Sequence, residues 1–355
     1  MESRSQGRPW WHPDVLADRR PLLAVRACVM AETRAFFSGR GYLEVETPAL
    51  QHSPGLEPHL KAFATAWTPP DGRPSVPLYL HTSPEFAMKK LMAGGLERIF
   101  QMARVYRDGE RSATHHPEFT MLEWYRAGAT YTDLMDETEA YVAACQQAAG
   151  GEPLRWRGHA SDAARPWTRV SVAEALAEYA GMDLMACLPD EPSAAPDPAP
   201  LAAQARRLGL AVGDADRFDD VFFRLFLRHV EPRLGIGAPC ILYDYPVSMA
   251  ALSRPKADDP RLAERFEVYV CGLELANAFG ELTDAAEQRA RFEADMDLKA
   301  ALYGERYPID EEFLAALDHG LPECSGIALG LDRLVMLCAG ARRIEDVLWA
   351  PVEGG

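Results

Sequence analysis

Two ten-residue segments, RIFQMARVYR (98–107) and PEFTMLEWYR (117–126), alternate apolar with polar side chains and are joined by the polar stretch DGERSATHH. Period-two alternation marks a strand with one buried face, and the connection is too long for a tight turn but suits a functional hairpin loop. The pair commits the chain to an antiparallel sheet. On the second segment Phe119, Met121, Glu123 and Tyr125 share one face, and Thr120, Leu122 and Trp124 the other. A ring, a carboxylate and a phenol together make a poor core face and a good pocket wall, on which Phe119 can stack on a base and Tyr125 can hold a polar group. Arg107 ends the first strand at the loop. Its planar fork suits a phosphate, and a surface ion pair is the competing reading.

Around this hairpin the pattern is mixed. Residues 21–41 predict a helix stopped by Gly39 and Gly41, and GYLEVETPAL (41–50) a strand broken at Pro48. SPEFAMKKLMAGG (83–95) reads as a helix with Ser83 as N-cap, Pro84 at its first position and a stop at Gly94-Gly95. Helical patterns return at 133–149 and 172–180, strands at 265–282 and 326–331, and a last helix at 332–340. CLPDEPSAAPDPAP (187–200) reads as a mobile connection. Antiparallel strands with interspersed helices and no regular βαβ alternation predict an α+β fold, an antiparallel sheet flanked by helices.

RFEVYVCGLELANAFGEL (265–282) carries three carboxylates in a segment that otherwise reads as sheet. With Cys271-Gly272 as a two-residue loop, Val270 faces Leu273, Tyr269 faces Glu274 and Glu267 faces Ala276. Glu267 and Glu274 then share a face. Two such carboxylates repel unless a cation lies between them, so they are either Mg²⁺ ligands shared with a phosphate or two solvated side chains. In GIALGLDRLVMLCAG (326–340) a glycine-rich strand runs into an apolar helix, and Gly326 and Gly330 either line a cleft floor or serve packing. No Walker loop and no G-x-G-x-x-G motif is present. His115-His116 either reaches a phosphate or is plain solvated surface.

The length of 355 residues allows two domains or one large one. The formal net charge of −16 disfavours non-specific nucleic-acid binding, although an acidic surface tuned for solubility reads the same way. Seven scattered cysteines without C-x-x-C spacing argue against a disulfide framework and a zinc site, and read as small buried hydrophobes. The N-terminus lacks the apolar core of a secretory signal and no window is apolar enough to span a membrane, so a cytoplasmic protein is expected.

Together these segments resemble the class II aminoacyl-tRNA synthetases: GYLEVETPAL their motif 1, VYRDGE through HHPEFTMLEWYR their motif 2, GIALGLDRL their motif 3. Among them the chain is most similar to lysyl-tRNA synthetase, and closer still to its truncated paralogues, the elongation factor P lysine ligases. HPEFTMLEWY, ERFEVY, ELANAF-ELTDA and LGLDRLVML stand in that family's order and spacing. The resemblance implies an N-terminal extension over 1–20 and a class II catalytic domain over 21–355. A helical, Pro- and Ala-rich insertion at about 150–255 is expected, and no anticodon-binding domain.

It implies further that ATP and Mg²⁺ are used, with Arg107 on the α-phosphate and the substrate carboxylate as the catalytic residue. Asp108, Gly109, His115, His116, Phe119, Glu274, Leu275, Gly330 and Arg333 complete the ATP site, with adenine between Phe119 and Arg333. Glu267 and Glu274 hold the metal. Ser83, Pro84 and Glu85 take the amino-acid head, Tyr125 and Glu281 the distal ammonium, and Asn277 and Ala328 the remaining wall. The motif 2 loop departs from the common Arg-x-Glu as Arg107-Asp108-Gly109-Glu110, and His116 stands where Asn is common. Ala328 stands where the tRNA synthetases have Gly, which favours (R)-β-lysine over lysine. The implied partner is elongation factor P, on a lysine of which the acyl group ends, with a homodimer and no tRNA. A minimal enzyme charging tRNA or a small acceptor, and an inactive amino-acid-binding regulator, are the alternatives.

Overall fold

The computed structural model describes residues 8–191, 194–250 and 252–353. Eight strands form the central sheet: β1 (Leu43–Glu44), β2 (Arg98–Tyr106), β3 (Glu118–Ala127), β4 (Thr168–Ser171), β5 (Cys240–Pro246), β6 (Leu262–Val270), β7 (Leu273–Gly280) and β8 (Cys324–Gly330). Their spatial order is β1-β2-β3-β8-β7-β6-β5-β4. The expected antiparallel sheet is therefore mixed at its ends: β1 joins β2 and β4 joins β5 in parallel, while every pairing between β2 and β5 is antiparallel. Strands β4 and β5 come from the stretch expected as an insertion.

Nine helices among the described residues cover the sheet: α1 (Pro13–Ser38), α2 (Glu85–Ala93), α3 (Tyr131–Ala148), α4 (Val172–Ala180), α5 (Pro198–Arg207), α6 (Phe218–Leu225), α7 (Ala285–Tyr303), α8 (Glu311–Gly320) and α9 (Leu331–Ala339). Helix α1 opens at Pro13 instead of residue 21, because His12 accepts from the Asp14 N–H and Pro13 fits the first turn. Leu122 and Trp124 on the even face of β3 pack with Phe37, Phe100, Tyr141 and Leu334 into the main core. Helices α2, α7 and α8 close a second core around Phe86, Phe292 and Phe313. Part of the expected connection 187–200 lies outside the described residues, at 192–193, and its end is the start of α5, capped by Asp197 with Pro198 at the first position. Five cysteines are buried, as small apolar side chains, whereas Cys28 is exposed and Cys338 half-buried.

One ion pair locks the layers. Arg26 of α1 meets Asp332 at the start of α9 at 2.5 Å and donates to the Thr120 hydroxyl at 2.9 Å, while the other Asp332 oxygen accepts the Thr120 N–H at 2.8 Å. Both charged side chains are closed to solvent and saturated with partners, the condition under which a buried pair is tolerated. The pocket strand β3 is thus fixed against two helices.

Candidate active site

The odd face of β3 and the facing residues of β7 and β8 form the floor of a cavity of about 480 Å³, in the size class of small-molecule sites. Ser83, Glu85, Arg107, His115, His116, Phe119, Tyr125, Glu274, Leu275, Asn277, Glu281, Ala328, Gly330 and Arg333 all line it. Pro84 borders a small neighbouring pocket instead. Asp108 points away, to Lys61 at 2.9 Å, and Gly109 supplies only the positive φ of +82° that the loop needs.

A bulge sets the carboxylates of the 265–282 hairpin. Cys271 and Gly272 both have positive φ, as a tight type I′ turn needs, and Val270 faces Leu273 and Tyr269 faces Glu274 as expected. The register then slips by one, so Glu267 faces Asn277 instead of the expected Ala276. The extra residue turns Glu274, Asn277 and Phe279 toward the cavity together, which uninterrupted alternation forbids. Glu267, paired with Asn277, is on the same sheet face but is buried beside the cavity and does not line it. It accepts from the hydroxyls of Tyr245 and Tyr269, both at 2.5 Å, and from Arg265 at 2.6 Å. Glu274 is pushed above the usual carboxylate range by burial and then by the charge of Glu267, against Arg333, Arg265 and Arg107. Glu231 joins this group: burial, then Glu274 and Glu267, push it up to about 7.

The arginines face these acids. The Arg107 guanidinium lies 5.2 Å over the Phe119 ring and 3.8 Å from Glu110, and its Nε is enclosed without a hydrogen-bond partner. An enclosed charged donor with no acceptor is costly in an empty site and suits an incoming anion. Arg333 donates to the Glu274 carbonyl at 2.9 Å and to His115 Nε2 at 2.8 Å. His115 is pulled below the usual histidine range, by burial first and then by Arg333. His116 is a fastener: its Nδ1 meets the Glu118 carbonyl at 2.6 Å and its Nε2 accepts the Val352 N–H at 3.1 Å, tying the C-terminal segment to the hairpin loop.

The opposite end of the cavity is acidic and sealed. Ser83 does not sit at the N-cap of α2, which is Pro84, but its hydroxyl still accepts the Glu85 N–H at 3.0 Å and donates to Glu123 at 2.5 Å. Tyr125 donates to the other Glu123 oxygen at 2.9 Å. Lys89, one helical turn after Glu85, bridges Glu85 and Glu281. Burial opposes its charge, but Glu281 and Glu85 outweigh burial and hold it above the usual lysine range. Burial raises Glu281 to about 7 against the pull of Lys89, and burial with the Glu85 charge raises Glu123 to about 8. Gly326 makes the packing possible, since a Cβ there would stand 2.2 Å from the Tyr125 ring and 2.5 Å from Glu281. Ala328 pairs in register with Asn277 on one side and Glu123 on the other. Sequence reasoning placed Glu123 on the pocket face without giving it a role, and passed over Lys89, whose i, i+4 spacing from Glu85 was the available signal.

A mixed sheet whose motif 2 and motif 3 segments line one cavity that pairs arginines and carboxylates, with the motif 1 segment at the sheet edge, defines a class II synthetase core. The chain belongs to the family described as "tRNA synthetases class II (D, K and N)", which matches residues 15–353. Within it the chain falls among the ligases that act on elongation factor P. It is 39% identical to the elongation factor P–(R)-β-lysine ligase of Proteus mirabilis, over 95% of this chain and 98% of that protein. Proteins of the same name from Sodalis glossinidius and Haemophilus ducreyi are each 40% identical, over 93% and 97% of this chain and 95% and 96% of theirs. No described helix is long and apolar enough to cross a membrane.

Proposed function

We propose that the protein is a cytoplasmic ligase that activates (R)-β-lysine, in preference to lysine, with ATP as an acyl-adenylate. It then passes the acyl group to the ε-amino group of a lysine on elongation factor P, releasing AMP. The observation that carries this reading is a charge count. Glu85, Glu123 and Glu281 cluster with one built-in cation, Lys89; Glu281 and Glu123 hold protons in the empty pocket, and once both ionise the three carboxylates exceed the one ammonium by two negative charges, which a cationic ligand must meet. A diamino acid brings two ammonium groups. Sealed carboxylates strongly favour a ligand that supplies both over an isostere that lacks one.

Activation brings a carboxylate against the α-phosphate, so negative charge accumulates between two anions and the need is for fixed positive charge, not a general base. Arg107, with its unpartnered Nε, lies between the acidic end and the phosphate end of the cavity and meets that need. Phe119 offers a ring face to adenine, and Arg333, held by Glu274 and His115, would close its other side. Glu274, on the cavity surface, offers hard oxygens that fit Mg²⁺ when the phosphates complete its shell, and Glu267, now held by Tyr245, Tyr269 and Arg265, would have to exchange its Arg265 contact to join it. Mg²⁺ bound there would neutralise phosphate charge as ATP is cleaved. The net charge of −16 supports a protein acceptor over tRNA. The exposed Leu43 and Leu50 on short strands of the motif 1 segment support a homodimer.

Intact-mass measurement of elongation factor P after incubation with enzyme, ATP and either lysine isomer tests the proposal. One acyl increment, larger in extent with (R)-β-lysine, is expected. An unchanged mass while pyrophosphate exchange proceeds would overturn the acceptor.

A further inference from the structure

The same cavity is also lined by Glu57, His59, Asp219, Phe223, Asp295 and Leu298, none of which the activation chemistry uses, and the exposed Phe223 marks this part as a mouth open to solvent. One stripe of α7 builds it. Lys299 donates to the carbonyls of Pro58 and Leu60, the latter contact very short, and the Tyr303 hydroxyl meets His59 at 2.8 Å. Asp295, one turn before Lys299, is thereby held beside Glu57. From α6, Asp219 and Phe223 face the same space one turn apart, and Phe223 keeps 41% of its surface exposed. The mouth therefore combines apolar walls, Phe223 and Leu298, with three carboxylates.

Glu57 is the link to the reacting centre. Its Oε2 is shut off from solvent and has no hydrogen-bond partner, an expensive state for a carboxylate unless a cation completes it. Glu57 feels the charges of Glu85 and Arg107 on one side, and Asp295 feels those of Glu57 and Asp219 on the other. Glu57 thus lies within electrostatic reach of Arg107 and Glu85 on one side and of Asp295 on the other.

We propose that Glu57, Asp219 and Asp295 form the port through which the acceptor lysine enters, its stem against Phe223 and Leu298, and that Asp295 takes the proton that frees its amine. This rests on the adenylate reading above. The ammonium gives one proton to Asp295, and the nitrogen lone pair attacks the acyl carbon. As the C–N bond forms, the C–O bond to phosphate breaks with its electron pair on AMP, and a second proton passes from nitrogen to the departing phosphate. Burial and the Glu57 and Asp219 charges, against Arg291, push Asp295 up to about 7, which suits a group that must accept and return a proton near neutrality.

The test compares Asp295→Asn and Asp219→Asn with wild type in three assays: pyrophosphate exchange, discharge of preformed adenylate to hydroxylamine, and discharge to elongation factor P. Exchange and hydroxylamine discharge, which need no ammonium to be deprotonated, should stay within about twofold, while transfer to the protein falls about 10²-fold for Asp295→Asn and about tenfold for Asp219→Asn. Unchanged protein transfer in both variants overturns the port. Equal losses in all three assays also overturn it, by placing these residues in activation or folding. N-α-acetyl-lysine amide serves as a second acceptor. If wild type acylates it but not elongation factor P, and Asp295→Asn loses that reaction, the port stands and only the proposed protein acceptor fails.

Discussion

The Lys89 ammonium and the Glu281 carboxylate lie 2.5 Å apart with both side chains closed to solvent. Lys89 lies one turn into a helix that opens the amino-acid end of the cavity, and Glu281 immediately follows the strand that carries Glu274. Their meeting places a buried counter-charge between Glu85 and Glu281, directly behind the cavity wall. Replacing Lys89 by Met should cost about 3–5 kcal/mol, the usual result of stranding a buried partner. Urea denaturation should show this as a lower midpoint, and adding Glu281→Gln to Lys89→Met should recover part of the stability without restoring pyrophosphate exchange. A midpoint within experimental error of wild type would contradict the pairing.

The pocket should also titrate. Glu281 at about 7 and Glu123 at about 8 hold protons in the empty fold that an unfolded chain releases near its ordinary carboxylate pKa. The folded state binds more protons in that interval, so these two groups make stability fall as pH rises from about 4.5 through 8. Binding has the opposite sense. A dicationic amino acid requires both carboxylates charged, so its KM should rise as pH falls below 8, by up to about tenfold per pH unit for each proton displaced. Calorimetric titration at neutral pH in two buffers of different ionisation enthalpy should reveal proton release. A KM flat between pH 6 and 8 would rule this out.

At the other end of the cavity, Arg107→Ala removes the donor whose Nε has no protein partner. Adenylate formation should drop by roughly 10²–10³-fold, the scale for losing one preorganised charge donor. Pyrophosphate exchange near the wild-type rate would remove Arg107 from the mechanism. Chelating Mg²⁺ should stop exchange in the wild-type enzyme as well.

In the proposed function, selection among amino acids divides between two positions. With Glu281 proposed to hold the distal ammonium, norleucine should be rejected far more strongly than ornithine, which keeps the charge and loses one methylene. Comparable activation of norleucine and lysine would remove that role.

Ala328 separates Asn277 from Glu123 in the sheet register, and its methyl group stands where a glycine would leave room. Overpacking of a fitted site costs ~1–3 kcal/mol, so Ala328→Gly should raise lysine activation about ten- to hundredfold relative to (R)-β-lysine. An unchanged ratio of kcat/KM for the two isomers would clear Ala328 of the selection.

Local pattern determined much of this protein. Alternation in 98–126 and 265–282, the Cys271-Gly272 turn and the glycine-to-helix junction at 330–331 are short-range signals that place the pocket face of β3, Arg107, Glu274 and Gly330, while Ser83, Glu85, Asn277, Glu281 and Arg333 come from the family resemblance. Tertiary packing decided the rest. The bulge that brings Glu274 and Asn277 to one side leaves no local mark, because register is chosen by both neighbouring strands together. Helix α7 buries Gln288 and Lys299 alongside Phe292 and Met296, which blurs its apolar stripe. Its role in bringing Asp295 to Glu57 exists only once Lys299 grips the loop at 58–60. The charge balance of the amino-acid end has the same origin: each residue is legible alone, but three carboxylates and one lysine become a site only where burial forces them to answer one another's charge.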